Sequence, residues 1–252
     1  MYDAFSLEYD RFVNWSGRLA SEMPFLLQQL QNVGAKRVLD AACGTGMHAI
    51  ALAQLGYSLA GADQSAGMVN RARNNADASG VAIQFKVASF GELAPAFPHH
   101  AFDGLLCLGN SLPHVLTTND LQNTLKDFAA SLRPGGVLII QNRNFDAVLN
   151  RRDRWMEPQA HREGDREWIF LRFYDFNKDC LIGFNIIMLV RDNGDGWNQQ
   201  VSSTLLRPLQ RVEILSELAN SGFKVAATYG GMDDTSFDPA TSTNLVIIAI
   251  RN

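Results

Sequence analysis

The run Val38-Leu39-Asp40-Ala41-Ala42-Cys43-Gly44-Thr45-Gly46 constrains the fold more than any other stretch of this chain. A short apolar strand turns at once, through two glycines, into a segment with helical periodicity. Glycine has no Cβ and tolerates positive φ, so such a turn lets backbone approach a ligand closely. The helix that opens at Met47 adds unpaired N–H groups and the positive end of its dipole at the same point. Asp40 sits at the carboxyl end of the strand, where open α/β sheets place their ligands. The combination describes a nucleotide-type pocket.

The surrounding pattern supports a parallel sheet. Apolar runs at 37–41, 58–62, 82–87, 102–108 and 137–141 alternate with helical periods. Strands that read as continuous apolar runs between helices belong to sheets covered on both faces. The first helix is expected over 47–55 and stopped by Gly56, and the second is N-capped by Ser65 and buries Met68, Val69 and Ala72. Leu121, Leu125, Phe128 and Leu132 mark one face of a helix expected to run to Arg133-Pro134-Gly135-Gly136.

Beyond Phe145 the rhythm changes. Residues 150–166 are polar, with Arg151, Arg152, Arg154, Arg162 and Arg166, and read as a solvated loop in preference to an anion-binding patch. Strand-like runs follow at 167–176, 181–191 and 199–207, the last two separated by the turn signal Asp192-Asn193-Gly194-Asp195-Gly196. These three are read as an inserted antiparallel sheet. A helix over 210–220 and strands at 223–229 and 244–250 then complete the core pattern. The organisation expected is an N-terminal segment with the first part of the ligand-binding domain over 1–149, an inserted cap over 150–208, and completion of the first domain over 209–252.

Composition excludes several classes. The 252 residues are 46% hydrophobic and 19% charged, with a net charge of −4. That balance fits a globular domain and argues against a general nucleic-acid binder, which needs a basic surface. No apolar segment reaches membrane-spanning length and no secretory signal is visible, so cytoplasm is the default expectation and no membrane partner is expected. Cys43, Cys107 and Cys180 have no metal-ligand spacing, and none of the motifs calls for a metal. Cys43 and Cys107 read as small buried hydrophobes.

Asp63 lies 17 residues after Gly46, at the end of the second strand, where a carboxylate can accept both hydroxyls of a ribose. An adenosine-containing cofactor follows. Gly44-Thr45-Gly46-Met47-His48-Ala49 by itself also fits the dinucleotide fingerprint, so a nicotinamide oxidoreductase stays open at this point.

The glycine turn, Gly61-Ala62-Asp63-Gln64-Ser65-Ala66-Gly67-Met68 and Leu132-Arg133-Pro134-Gly135-Gly136, in that order and spacing, resemble the class I S-adenosylmethionine-dependent methyltransferases. Phe102-Asp103-Gly104-Leu105-Leu106-Cys107-Leu108-Gly109-Asn110-Ser111-Leu112-Pro113-His114 is similar to the glycine and glycine/sarcosine N-methyltransferases. So are Gln141-Asn142-Arg143-Asn144-Phe145-Asp146, the Leu206-Arg207-Pro208-Leu209 stretch, and the N-terminal motifs Tyr2-Asp3-Ala4-Phe5, Tyr9-Asp10-Arg11-Phe12 and Trp15 to Arg18. The resemblance implies an α/β fold: a Rossmann-like seven-stranded sheet with a reversed C-terminal hairpin and an inserted antiparallel β-sheet. It implies S-adenosyl-L-methionine as cofactor and S-adenosyl-L-homocysteine as product.

Carried over residue by residue, the resemblance assigns Gly44 and Gly46 to the methionine part of the cofactor, and Asp40, Ala41 and Gln64 to cofactor binding. Asp63 goes to the ribose, and Met68, Ser89 and Phe90 to the adenine. Leu108 and His114 are cofactor-proximal, Arg18 grips the cofactor carboxylate as a fork, and Tyr9 covers the site. Asn110 and Arg143 are expected to hold the acceptor, Arg143 through its carboxylate. Gln141-Asn142 stands where the resembling enzymes have an Asp-His pair, and Phe145 where they have tyrosine, so hydrogen bonding in this acceptor site differs. His114 is the only motif candidate for a general base, and water can serve instead. The expected activity is methyl transfer to the amine of a small glycine- or sarcosine-like amino acid. The alternatives are an O-methyltransferase of a small hydroxy or carboxy metabolite, and a non-catalytic adenosylmethionine-binding protein. The inserted sheet is a candidate cap over the pocket and a candidate homo-oligomer interface.

Overall fold

The computed structural model describes residues 8–98, 101–177, 179–194 and 196–252. The 2–5 motif and Asp195 of the hairpin turn lie outside the described residues. Two sheets organise the chain. The larger has seven strands in the order β10-β11-β5-β4-β1-β2-β3: β1 (Arg37–Asp40), β2 (Ser58–Asp63), β3 (Gln84–Val87), β4 (Phe102–Cys107), β5 (Leu132–Arg143), β10 (Phe223–Tyr229) and β11 (Asn244–Arg251). β1 to β5 run parallel, and β11 is antiparallel to both of its neighbours. This is the reversed terminal hairpin that the sequence predicts.

Alternation along the central strands divides the core into two layers. Leu39, Leu105, Leu138 and Ile140 face one side with Leu121, Leu125 and Phe128 of the helix Thr118–Ser131. Val38, Leu106 and Ile139 face the other with Leu26 and Leu30 of Trp15–Asn32, Ala49 and Ile50 of Met47–Gln54, and Val69 and Ala72 of Ala66–Ala78. Helices therefore cover both faces, as the continuous apolar strands require. Cys43 and Cys107 are buried and unpaired. Among the described residues no helix is long and apolar enough to cross a membrane.

Two regions differ from the sequence reading by more than two residues. The helix expected to reach Arg133-Pro134-Gly135-Gly136 ends at Ser131, and Leu132 already pairs with Phe102 of β4. Arg133 precedes a proline, which pushes it out of the helical region, and its Nε donates to Asp103 Oδ1 at 2.6 Å. The ladder then skips to Val137 opposite Gly104, so the Pro-Gly-Gly segment is accommodated inside β5.

The second difference lies in residues 150–166, expected as a loop. They contain the end of the helix Phe145–Arg151 and a strand, β6 (Gln159–Glu163). β6 is the edge of a four-stranded antiparallel sheet with β7 (Arg166–Phe176), β8 (Ile182–Arg191) and β9 (Asn198–Leu206). Its sequence, Gln-Ala-His-Arg-Glu, carries the charges natural edge strands use to block further pairing. Those charges hide the strand from a hydrophobicity reading.

Candidate active site at the carboxyl ends of β1 and β4

β1 pairs with β2 on one side and β4 on the other, so chain order reverses between β1 and β4. A ligand crevice is expected outside the strand ends there. A cavity of about 1030 Å³ opens at that place. Its walls include Tyr9, Ala41, Gly44, Asp63, Gln64, Met68, Ser89, Phe90 and His114. All nine are among the residues the resemblance assigns to the cofactor.

The polar end of this cavity is built by the glycine turn and Asp63. Gly44 adopts φ +52°, and its N–H donates to Asp63 Oδ2 at 3.0 Å. Asp63 Oδ1 accepts from Ser65 N–H at 2.9 Å, while Ser65 Oγ caps the next helix by accepting from Met68 N–H at 3.1 Å. The carboxylate is thus held by at least these two backbone donors and lines the cavity.

The apolar end is Met68, Ala88 and Phe90, with Phe90 edge-on to Phe128 at 5.4 Å between ring centroids. The loop carrying Ser89 and Phe90 is fixed by Asp127, whose buried carboxylate accepts from the N–H groups of Gly91, Leu93 and Ala94 at 2.8 to 3.1 Å. A carboxylate and apolar walls lining one cavity match an adenosine, which carries both a diol and a flat ring.

Gly46 has a different role from the one expected. It caps the helix Met47–Gln54 at φ +82° and does not line the cavity. A Cβ there would lie 3.0 Å from both Ala72 Cβ and Phe85 Cζ, so close helix packing also requires glycine. Gly46→Ala is expected to destabilise the protein by about 1–3 kcal/mol, combining left-handed strain with overpacking. Thermal melts would register this as a fall in Tm of several degrees, and an unchanged Tm would contradict it.

Arg18, Asp40 and Leu108 do not line this cavity. Asp40 is buried, and that burial pushes its carboxyl up to about 6 against the lowering influence of His48 and the Ala42 N–H. Arg18 Nε donates to both oxygens of Glu22, at 3.0 and 3.1 Å, and Glu22 Oε2 meets His48 Nε2 at 2.6 Å. Burial works to raise the Glu22 carboxyl, but His48 and Arg18 outweigh it and hold the group low. Glu22 and His48 therefore aim Arg18, whose free guanidinium edge lies near Gly109. Neither was apparent from the sequence, because 26 residues separate them.

Asp10 was also missed as a tie. Its Oδ1 accepts from Thr45 Oγ1 at 2.6 Å and Trp15 Nε1 at 3.0 Å, and its Oδ2 from Arg71 Nε at 3.1 Å. The short helix Tyr9–Phe12 is thereby fastened to the glycine turn, which brings Tyr9 into the cavity wall. Burial raises the Tyr9 phenol, so the hydroxyl stays protonated.

His114 ends a short 3-10 turn, Leu112–His114, and burial lowers its pKa to about 4. The imidazole is neutral at pH 7. Its unfolded value lies near 6.5, so between about 6.5 and 4 the unfolded chain takes a proton that the native state refuses. Stability contributed by this site is complete above 6.5 and is lost as pH falls toward 4. His114→Gln is expected to flatten the difference in Tm between pH 7 and pH 4.5, and an equally steep acid limb in the variant would refute the assignment.

The two acceptor candidates sit together. Asn110, at φ +62°, accepts through Oδ1 from Arg143 N–H at 2.9 Å. Gln141 Oε1 accepts from Gly109 N–H at 2.8 Å, while the fully buried Asn142 has no hydrogen-bond partner for either side-chain polar atom. Arg143 does not line the large cavity. It lines a second crevice of about 490 Å³, with Tyr174 of β7, Arg151, Arg152, Arg154 and Trp155. Three arginines of the expected loop thus converge beside Arg143.

Residues 38–136 match the family model of a methyltransferase domain. A glycine/sarcosine N-methyltransferase of Halorhodospira halochloris is 36% identical over 148 residues, which cover 59% of this chain and 55% of that protein. A glycine/sarcosine/dimethylglycine N-methyltransferase of Actinopolyspora halophila is 36% identical over 195 residues, covering 69% of this chain and 34% of its own length. The chain spans about half the length, or less, of the curated relatives it matches. Among solved structures, an S-adenosylmethionine-dependent methyltransferase from Clostridium acetobutylicum superposes with a TM-score of 0.80 at 17% identity, covering 100% of this chain and 99% of its own. A SAM-bound amino pentose methyltransferase from Micromonospora echinaspora superposes with a TM-score of 0.76 at 20% identity, covering 99% and 97%. The glycine turn, the reversed hairpin and these matches agree: residues 38–136 match a methyltransferase domain, the fold is that of the methyltransferases it superposes on, and the chain is similar to the glycine/sarcosine N-methyltransferases.

Proposed function

We propose that the large cavity binds S-adenosyl-L-methionine and that the protein transfers its methyl group to the amine of a small amino acid of the glycine or sarcosine type. The observation that carries this reading is the Asp63 carboxylate, fixed between the Gly44 and Ser65 N–H groups at the polar end of a cavity with apolar walls. When bound, the cofactor supplies a methyl group already activated on a sulfonium, for in-line displacement by a lone pair. The protein's own residues then have to bind, orient and exclude water.

Asp63 and Gln64 would hold the ribose, with Met68, Ser89 and Phe90 around the adenine. Arg18, aimed by Glu22, would take the cofactor carboxylate. Tyr9, tied down through Asp10, would cover the site and keep water out. Arg143, with its backbone fixed by Asn110, would hold the acceptor carboxylate so that the amine faces the methyl group. Orientation of this kind supplies about 7–11 kcal/mol of a barrier. The neutral His114 accepts a proton only weakly, with its pKa near 4, so the amine proton leaves to water.

The test is radiolabelled methyl transfer to glycine and sarcosine, run beside hydroxy acids of the same size, with calorimetric binding of S-adenosyl-L-homocysteine and of NAD. Methylated amine and homocysteine-nucleoside binding are expected. Transfer to hydroxy acids alone would make the enzyme an O-methyltransferase. Binding of NAD in place of the homocysteine nucleoside would remove the reading altogether.

A further inference from the structure

The face of β7 turned toward the N-terminal helix and the end of β5 carries Trp168, Phe170, Arg172 and Tyr174 at alternate positions. Alternate residues on a strand lie about 7 Å apart, so one arginine interrupts an aromatic row. Phe12 packs edge-on against Phe170 at 5.4 Å, and the Arg172 guanidinium lies 5.0 Å from the centre of the Phe12 ring. On the other side Tyr174 packs against Phe145, two residues past Arg143, at 6.3 Å. Arg172 therefore stands between the helix that carries Tyr9 into the cofactor cavity and the strand end that carries Arg143 into the second crevice.

Four other arginines that border the four-stranded sheet have carboxylate partners, whereas Arg152, over the Phe176 ring at 4.4 Å, is exposed and has no ion pair among the described residues. Arg11 pairs with Glu163, Arg154 with Asp175, Arg166 with Asp192 and Arg191 with Glu167. Arg172 and Arg143 have no ion pair among the described residues, and the Nε of each is buried without a hydrogen-bond partner. Burial, and then the charge of Arg143, lowers the Arg172 pKa, so the two cations act on each other. A pair of partly dehydrated like charges costs stability until an anion arrives. One carboxylate leaves this pair with a net positive charge, whereas two acidic groups neutralise it.

This inference rests on the amino-acid acceptor proposed above. We propose that the acceptor carries two acidic groups, one held by Arg143 and the other by Arg172, so that the inserted sheet reads the acceptor's second charge.

Steady-state kinetics on the full chain would compare glycine and sarcosine with L-aspartate, L-glutamate and O-phospho-L-serine, in the wild type, Arg172→Gln and Arg172→Lys. At least one diacid is expected to exceed glycine and sarcosine about tenfold in kcat/KM. Arg172→Gln is expected to lower that value at least thirtyfold, with glycine and cofactor KM within threefold, and Arg172→Lys to recover part of the loss. Its Tm should hold or rise, since an unpaired cation is removed. Preference for glycine or sarcosine, unaffected by Arg172→Gln, would overturn the second anchor and leave the methyl-transfer reading intact. A Tm lowered by several degrees with acceptor selectivity unchanged would also overturn it, assigning Arg172 to packing on Phe12. Failure to methylate any of the five amino acids would instead bring down the acceptor reading on which this one rests.

Discussion

Asp63→Ala is expected to weaken S-adenosyl-L-homocysteine binding by about 30-fold or more, measured by calorimetry. The carboxylate does two things that alanine cannot. It accepts from the Gly44 and Ser65 N–H groups, which sets the glycine turn and the start of the helix Ala66–Ala78. It also lines the cavity, where the ribose is proposed to lie. Hydrogen bonds to a charged group contribute about 1.5–3 kcal/mol each, and about 1.4 kcal/mol corresponds to tenfold in affinity. Loss of one ribose bond alone therefore gives at least tenfold, and loosening of the turn adds to it. Asp63→Asn keeps an acceptor for one backbone donor and should fall between the two. Affinity unchanged in Asp63→Ala would refute the ribose assignment and with it the placement of the cofactor.

Features set by neighbouring residues in the chain were legible before any coordinates. The glycine turn, Asp63 and the Ser65 cap all depend on backbone geometry within a few positions, and each lies where the sequence places it. Phe223–Tyr229 was read to the residue, because Gly222, at φ +86°, punctuates it. Positions that depend on distant partners were not legible. Arg18 was assigned to the cofactor, but the Glu22 and His48 side chains that aim it come from two helices. Asp127 offered a faint signal, being a carboxylate on the buried side of an amphipathic helix, and its partners lie more than 30 residues away. β6 was invisible because an edge strand needs charge more than apolar alternation. Arg172 lies within the strand-like run 167–176, and only the packing of the inserted sheet against Phe12 and Phe145 separates it from the exposed arginines.

Arg143→Ala is expected to raise the acceptor KM by about 30- to 1000-fold while S-adenosyl-L-homocysteine affinity changes less than threefold. Truncating one partner of a buried charge-assisted pair costs about 2–5 kcal/mol, which sets that range. The substitution is a clean probe because the anchoring bond at this position uses backbone: Asn110 Oδ1 holds the Arg143 N–H, which alanine keeps. The guanidinium has no ion pair among the described residues, so its removal leaves no carboxylate stranded. Burial raises the Tyr174 phenol while the Arg143 charge lowers it, so that hydroxyl remains protonated in the variant and still offers a donor. Arg143→Lys keeps the charge but loses the planar fork, and should recover only part of the effect. Equal losses in acceptor and cofactor binding would show that Arg143 supports the shape of the whole site, and its role as the acceptor's carboxylate anchor would then be withdrawn.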